Sequence, residues 1–506
     1  VNWLLVWPIL IPVLTAALCL LAWNAPGLQR TLSFLGTFVL LIGDLYLFAG
    51  VWEGGVQSVQ MGEWPAPYGI TIVADTLSAT LVVLTALIGL GVAVFALGDI
   101  GVERETTGFH PLFHALLTGV GGAFMTGDIF NLYVWFEVMV IASFGLMALG
   151  CERAQIDGGV KYVILNLIAT TVLLVAIGLL YGVTGTLNMA DLAQVVPQHA
   201  EQGRLIVIAA LFLLAFGMKA AVFPLYFWLP ASYHTPPAAV SAIFAALLTK
   251  VGVYAMIRTF TLIFTVGQAY TYSAILAVGV LTMLIGVLGA IAQNDVRRVL
   301  SFNLVSGIGF ILIGLGLGTV LGLAGAIYYT VHHIVVMSGL FLVAGVAQRV
   351  AHAQGLDALG GLYRSQPLVA VLFFIVAMSL AGVPPLSGFW PKVILVQASL
   401  EAEAYIVAAA ALVTGLLTLY SMSKIWSLAF WRAKPEVAPQ AAPGILDPGP
   451  LGAGRKAVLL TPVALLAVLT LAIGLFAQPL LSISERAAVA LMAPDAYITT
   501  VLDEEG

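Results

Sequence analysis

The chain has 506 residues, of which 61% are hydrophobic and 8% charged, with a mean hydropathy of +1.08. A soluble protein carries about 25% charged residues, so one water-soluble core is excluded and lipid must solvate most of the surface. A net charge of −5 and the absence of any basic run exclude nucleic acid as a partner.

A window of about 20 residues, the length that crosses a bilayer as a helix, gives expected spans near 3–22, 31–50, 71–97, 111–127, 128–150, 161–184, 205–229, 235–262, 269–291, 297–317, 319–347, 367–398, 404–431 and 456–478, fourteen in all. The first is expected to be a retained span rather than a signal peptide, because no charge precedes Arg30 and the apolar run extends from Trp3 to Ala22. Only Gly127 and Asp128 separate the fourth from the fifth. The longest breaks are the stretch around Glu53 to Gly69, the segment Asn188–Arg204 and the Pro-rich linker Pro435–Gly454. The expected fold is therefore an all-α polytopic membrane protein without an independent extramembrane domain. Cys19 and Cys151 lie far apart and fit neither a disulfide framework nor a metal-ligand spacing.

Lysine and arginine are unevenly divided between alternate loops. One side gathers twelve, from Arg30 to Lys456, and the other only three, Arg204, Arg258 and Arg486. By the positive-inside rule the first side is cytoplasmic and both termini face outward.

Several ionisable residues fall at mid-depth, where each costs roughly 2.5–3.5 kcal/mol to insert: Glu137 in the fifth span, Lys219 in the seventh, Lys250 in the eighth, Lys392 in the twelfth, and His332 with His333 in the eleventh. A Glu137–Lys219 salt bridge that fixes packing is the structural alternative for that pair. Lys250 is too deep in its span to snorkel, whereas Lys424 lies near a cytoplasmic end and reads as a snorkelling residue. A lysine in low dielectric binds its proton less tightly and a nearby carboxylate restores that affinity, so a Glu–Lys pair can switch a lysine between charged and neutral forms. A proton relay needs such switching: from Lys219 the proton passes through histidine, hydroxyl or water towards Lys250 and then Lys392. His234, at the head of the eighth span, is either part of that relay or a cap on a Pro-rich turn. Asp295, Arg297 and Arg298 read as an interfacial charge cluster, and Asp44 and Asp75 are intramembrane acids without an assigned role.

The lysine-bearing seventh and twelfth spans also have broken patterns, GMKAAVFPLYFWLP from Gly217 to Pro230 and GVPPLSGFWPK from Gly382 to Lys392. Pro224 in the first, and Pro384 and Pro385 in the second, free backbone carbonyls, so these helices are expected to break where they line a hydrated cavity; a simple kink is the alternative. The two stretches resemble each other. The expected organisation is helices 1–3 (1–110), a five-helix repeat (111–262), a second five-helix repeat inverted by its odd span count (263–432), and a linker, last helix and tail (433–506). Inverted repeats around broken helices are a transporter signature.

Three motifs carry a family resemblance: FMTGDIFNLYVWFE from Phe124 to Glu137, GVTGTLNMAD from Gly182 to Asp191, and HTPPAAVSAIFAALLTKVGVY from His234 to Tyr254. From about residue 70 to 430 the chain resembles the proton-translocating antiporter family, which includes large membrane subunits of respiratory complex I and the A-type and D-type subunits of Mrp antiporters; GDIFNL and TGTLNM are most similar to the D-type. The resemblance implies that Glu137 is the acid of the fifth span and Lys219 its partner. It makes Lys250 the central lysine, Lys392 the terminal ionisable group, and His332 and His333 the bridge between two half-channels. Met337 stands where relatives often carry a lysine, leaving water or Ser338 to substitute.

The favoured reading is a proton-conducting subunit of an Mrp-type Na+/H+ antiporter in a bacterial or archaeal cell membrane. Its partners would be other membrane subunits and the lipid bilayer; H+ would be its substrate, and Na+ would pass either through it or through a partner subunit. The alternatives are an antiporter-like subunit of a complex I-type pump and a non-conducting scaffold, and the insertion cost of the buried ionisable residues argues against the scaffold. No nucleotide, flavin, haem or cluster motif is present, so no cofactor is expected.

Overall fold

The protein is described from a computed structural model covering residues 3–199, 202–353, 355–434 and 452–502. It begins with two long helices, α1 (Trp3–Leu21) and α2 (Pro26–Gly54). A small antiparallel hairpin follows, β1 (Gln57–Gln60) against β2 (Thr71–Ala74), with Gln57 opposite Ala74 and Gln60 opposite Thr71. Asp75 then starts α3 (Thr76–Asp99) by a capping box with Ser78, satisfying end N–H groups that lipid cannot. After the short α4 (Val102–Thr106) come α5 (Phe109–Met125), α6 (Ile129–Ala148), α7 (Arg153–Thr184) and the ten-residue α8 (Met189–Gln198).

The expected seventh span is α9 (Gln202–Ala220) followed, after an irregular stretch, by α10 (Trp228–Ser232). The eighth is α11 (Ala238–Ile243), a π-helical turn over Phe244–Leu248, and α12 (Thr249–Leu262). Next come α13 (Gln268–Ala292), α14 (Val296–Gly316), α15 (Val320–Ala351) and the single turn α16 (Leu362–Ser365). The twelfth span is again two pieces, α17 (Pro367–Ala381) and α18 (Phe389–Glu401). The chain continues through α19 (Tyr405–Ile425) with its π-helical end Trp426–Trp431, α20 (Ala453–Leu475), α21 (Ala477–Met492) and α22 (Asp495–Leu502).

The expected spans fall largely on helix, although the third begins in β2 and the seventh and twelfth are interrupted, and the count of fourteen does not carry over directly. Among the described residues, twelve helices are long and apolar enough to cross a membrane. The expected fourth span is α5, with 17 residues, and the expected twelfth is divided into pieces of 15 and 13 residues. Besides β1 in the stretch around Glu53 to Gly69, two expected irregular regions contain helices. The break at Asn188–Arg204 holds α8, and the C-terminal tail holds α21 and α22. These helices are amphipathic, so an apolar window passes over them. Most of the linker expected at Pro435–Gly454 lies outside the described residues.

Large apolar side chains such as Leu14, Phe38, Val175 and Leu412 point outward, as lipid solvation requires. The centre is made of α11–α12, α14 and α15, which are almost entirely enclosed by the rest of the protein. Water cannot drive helix association inside a bilayer, so close backbone packing must. A Cβ on Gly286 of α13 would lie 2.5 Å from the Ser306 nitrogen, and one on Gly309 of α14 would lie 2.4 Å from the Met283 nitrogen.

Two local features recur in the halves expected to be repeats. Asp128 caps α6 and bridges to Asn188; Asp295 caps α14 and bridges to Gly355, at the same spacing along the chain.

Candidate functional site

Lys219 occupies the last turn of α9. The chain leaves the helix at Ala221, which has a φ of 61°, and Pro224 lies in the irregular stretch before α10. Partners absorb the groups freed there: the Thr282 hydroxyl accepts from the Phe223 N–H at 2.9 Å, and the Trp228 indole donates to the Met218 carbonyl at 3.0 Å. The Lys219 ammonium is buried, donates to the Asn166 carbonyl at 3.3 Å and lies 5.3 Å from the centre of the Phe136 ring. Phe136, Tyr162, Asn166 and Trp228 are among the residues around a small cavity of about 10 Å³ beside it. Tyr162 extends the polar patch through a 2.6 Å hydrogen bond with the Ser143 hydroxyl.

Glu137 is not the salt-bridge partner of Lys219. It sits half-buried on α6 next to Phe136, within electrostatic range of the ammonium, and the two make no ion pair. The packing salt bridge considered from the sequence is therefore not what holds this region.

Lys250 is completely buried, and its ammonium donates to the Ala245 carbonyl at 2.6 Å. Ala245 lies within the π turn. A π turn displaces the usual i→i−4 pairing and leaves carbonyls available, so the irregularity supplies an acceptor for a buried cation. Gly252 brings this helix against the first break, where an added Cβ would lie 2.8 Å from the Ala220 nitrogen.

His332 and His333 on α15 are both fully buried. Neither ring nitrogen of His333 has a hydrogen-bond partner, and the ring lies within electrostatic range of both Lys250 and Lys392. Its space depends on Gly307 of α14, since an added Cβ would come within 2.2 Å of Nε2. Met337 is buried on the same helix, and the neighbouring Ser338 hydroxyl is buried without a partner.

At the second break α17 stops at Ala381, and Gly382 takes a φ of 88° in the left-handed region. Pro384 and Pro385 lie in the gap. Lys392, one turn into α18 and half-buried, reaches back across the gap and donates to the Leu380 and Ala381 carbonyls at 2.9 and 2.8 Å. Its ammonium lies 5.3 Å from the Phe310 ring centre. The ammonium thus sits at the negative end of a broken helix, on carbonyls that the break leaves free.

The sequence reading missed a cluster of hydroxyls beside this break. His332 Nδ1 is 2.7 Å from the Ser387 hydroxyl, which is 2.9 Å from that of Ser379 and 2.5 Å from that of Thr470; Ser379 and Thr470 are 2.7 Å apart. Ser387 lay within the GVPPLSGFWPK stretch. Ser379 and Thr470 are single hydroxyls on apolar helices and carried no sequence signal.

The remaining expected groups lie elsewhere. His234 is half-buried in the turn before α11, with Nδ1 3.0 Å from the Pro230 carbonyl and Nε2 3.2 Å from the Arg298 guanidinium, as a cap rather than beside the lysines. Asp295 caps α14 and Arg297 donates to the Pro236 carbonyl, so this cluster ties two helix ends together. Lys424 donates to the Ile291 and Gln293 carbonyls at the end of α13, at 3.0 and 2.8 Å. Asp44 is buried in α2 with Oδ1 unpartnered. Arg258, counted with the loops, is instead buried in α12 and paired with Asp75 at 2.6 Å; near a helix end, a hydropathy profile does not separate a snorkelling arginine from an enclosed one.

Residues 126–418 match the family described as NADH:quinone oxidoreductase/Mrp antiporter, TM. The chain belongs to that family. It is 44% identical over 503 residues to the D-type subunit of the Na(+)/H(+) antiporter of Alkalihalophilus pseudofirmus, covering 99% of this chain and 100% of the relative. Its fold matches a chain of the Mrp complex from Dietzia sp. DQ12-45-1b with a TM-score of 0.90 at 34% identity, over 99% of this chain and 100% of that one. A chain of respiratory complex I from Thermus thermophilus matches with a TM-score of 0.80 at 25% identity, covering 96% and 99%. These three relatives match the chain over 96–99% of its length.

Proposed function

We propose that this chain is the proton-conducting subunit of a multi-subunit Mrp-type Na+/H+ antiporter, and that protons move along Lys219, Lys250, His333, His332 and Lys392. The observation that carries the reading is the position of His333, buried and unpartnered within electrostatic range of both Lys250 and Lys392. It supplies the link that two separate lysine sites lack. Full-length similarity to a D-type antiporter subunit favours this over a complex I-type pump, whose representative is less similar in both sequence and fold.

In this mechanism Glu137 and Lys219 form the switch. The absence of a direct salt bridge leaves the ammonium free to respond to small movements of the carboxylate, because the interaction is long-ranged in a low-dielectric interior. A proton leaving Lys219 passes to Lys250 through water and hydroxyl groups, then through the two imidazoles to Lys392. Each imidazole takes a proton on one nitrogen and releases one from the other. The recurrent Asp128 and Asp295 caps support the reading of two inverted five-helix units at 111–262 and 263–432, with the Lys/Arg-rich side cytoplasmic and both termini outside.

The test is sodium-dependent proton transport in membrane vesicles containing the assembled complex. Lys219→Ala and Glu137→Ala are each expected to abolish transport with complex assembly unchanged. Transport at the wild-type rate in either variant would overturn the assignment.

A further inference from the structure

The same helix that carries Lys250 presents two more polar residues on that face, Tyr254 and Arg258, each one turn after the last. All three are buried. Arg258 donates to Asp75 Oδ2 at 2.6 Å and from Nε to the Tyr254 hydroxyl at 3.4 Å, while the Tyr254 hydroxyl donates to the Phe124 carbonyl at 2.9 Å. Asp75 Oδ1 accepts the Ser78 N–H at 2.8 Å, which fixes the carboxylate at the start of α3. From the C-terminal helix α22, Tyr497 lies over the guanidinium, its ring centre 5.1 Å from Cζ, with its own hydroxyl buried and unpartnered. Asp128 is the remaining charged group within electrostatic range of Tyr497.

Asp75, Arg258 and Tyr497 also border a cavity of about 50 Å³ that reaches the turn between α21 and α22 at Ala493 and Pro494. Most of its wall is apolar, but Asp75, Arg258 and Tyr497 give it one polar side, and a space of that size beside such groups accepts a water molecule or two. It lies at the far end of α11–α12 from the Arg349–Asp99 pair, where Asp99 also accepts the Ala239 N–H. A buried ion pair is a poor stabiliser, and neutral residues of similar volume commonly serve a fold as well. Stability alone therefore does not account for a pair joined to a cavity and to the helix face below Lys250.

We propose that Asp75, Arg258 and Tyr497 form an outer gate through which external protons reach the Lys250 site, an inference that rests on the proton-conducting function proposed above. A proton arriving in cavity water, which the Tyr497 hydroxyl orients, passes to the Asp75 carboxylate, and the neutral acid releases the guanidinium. Arg258 stays protonated throughout. Neutral Asp75 then gives its proton through water to a neutral Lys250 amine, leaving an ammonium on one and a carboxylate on the other, and the carboxylate closes on Arg258 again. Tyr254 positions Arg258 and carries no proton itself.

The test uses the assembled complex in vesicles. The double variant Asp75→Asn/Arg258→Met leaves no unpaired charge buried, so a structural pair predicts wild-type transport, whereas the gate predicts a fall of about tenfold or more, the scale of losing a positioned proton-transfer group. Arg258→Lys keeps a cation on Asp75 and is expected to retain most of the rate. If the double variant does not assemble, Tyr497→Phe, which removes only an unpartnered hydroxyl, is expected to slow transport severalfold. Wild-type transport in an assembled double variant, or in Tyr497→Phe where the double variant fails to assemble, overturns the gate. Lys219→Ala, measured alongside, separates the two readings. If it is inactive while the gate variants are normal, only the gate fails; if it is normal too, the proposed function fails with it.

Discussion

The two broken helices use one lysine each but hold it differently. At the first break Lys219 precedes the gap and reaches away to the Asn166 carbonyl of α7 through a single 3.3 Å bond, with Glu137 nearby. At the second, Lys392 follows the gap and takes two carbonyls of its own broken helix at 2.8 and 2.9 Å, with no acid in contact. Each ammonium faces one phenylalanine ring, Phe136 or Phe310. The contrast assigns distinct roles: Lys219 is loosely tethered and suited to switching, while Lys392 is fixed by the break and suited to receiving a proton at one place.

Replacing both lysines by methionine is the strongest way to break this comparison. Lys219→Met is expected to abolish transport without loss of assembled complex. Lys392→Met also orphans two buried carbonyls, at about 1–3 kcal/mol each, so it is expected to lower both transport and the yield of complex. Equal yields of the two would show that the difference in tethering is immaterial.

The residues that open the two gaps give the next effect. Gly382→Ala places a Cβ 2.9 Å from Lys392 Cδ and strains a left-handed position by about 1–2 kcal/mol, so a severalfold loss of transport and a lower Tm are expected. Ala221 occupies the matching place with a φ of 61°; there Ala221→Gly is expected to raise Tm slightly. A smaller change is expected from Ser387→Ala, which removes the 2.7 Å partner of His332 and its own contacts with Ser379 and Thr470 but leaves those two hydroxyls bonded to each other: transport reduced about two- to fivefold, since only the bond to His332, of about 1 kcal/mol, touches the relay. Lys424→Met, which removes a helix-end cap far from both breaks, is expected to change the vesicle rate by less than about twofold.

Much of the architecture was legible in the sequence because insertion into lipid is costly enough to leave a clear record. Apolar runs marked the helices, and the prolines of FPLYFWLP and VPPLSGFWP marked both gaps. The lysines and histidines stood out because nothing apolar explains them. What the sequence did not contain were their partners. The carbonyls of Asn166, Ala245, Leu380 and Ala381 belong to backbone, which every residue has, and only the fold selects them. The Ser379–Ser387–Thr470 cluster draws one hydroxyl from each of three distant places. Glu137 and Lys219 stood out as a pair, with a packing salt bridge as the alternative to a switch, because opposite charges are rare at that depth, yet rarity gives proximity and not contact. Arg258 failed in the opposite sense: a position near a helix end suggested water, and Asp75 from the start of α3 encloses it instead. The amphipathic α8, α21 and α22 escaped a window tuned to spans, and so did Tyr497, which one of them carries over that ion pair.

The central claim, that buried titratable groups persist because they pass protons, is tested most directly at Lys250. Its ammonium is fully enclosed, makes one hydrogen bond to a carbonyl of its own helix and touches no acid, so Lys250→Met removes a charge without orphaning another and leaves folding intact. Sodium-driven proton movement in vesicles carrying normal amounts of the Lys250→Met complex is expected to vanish. Movement at the undiminished rate would contradict the account.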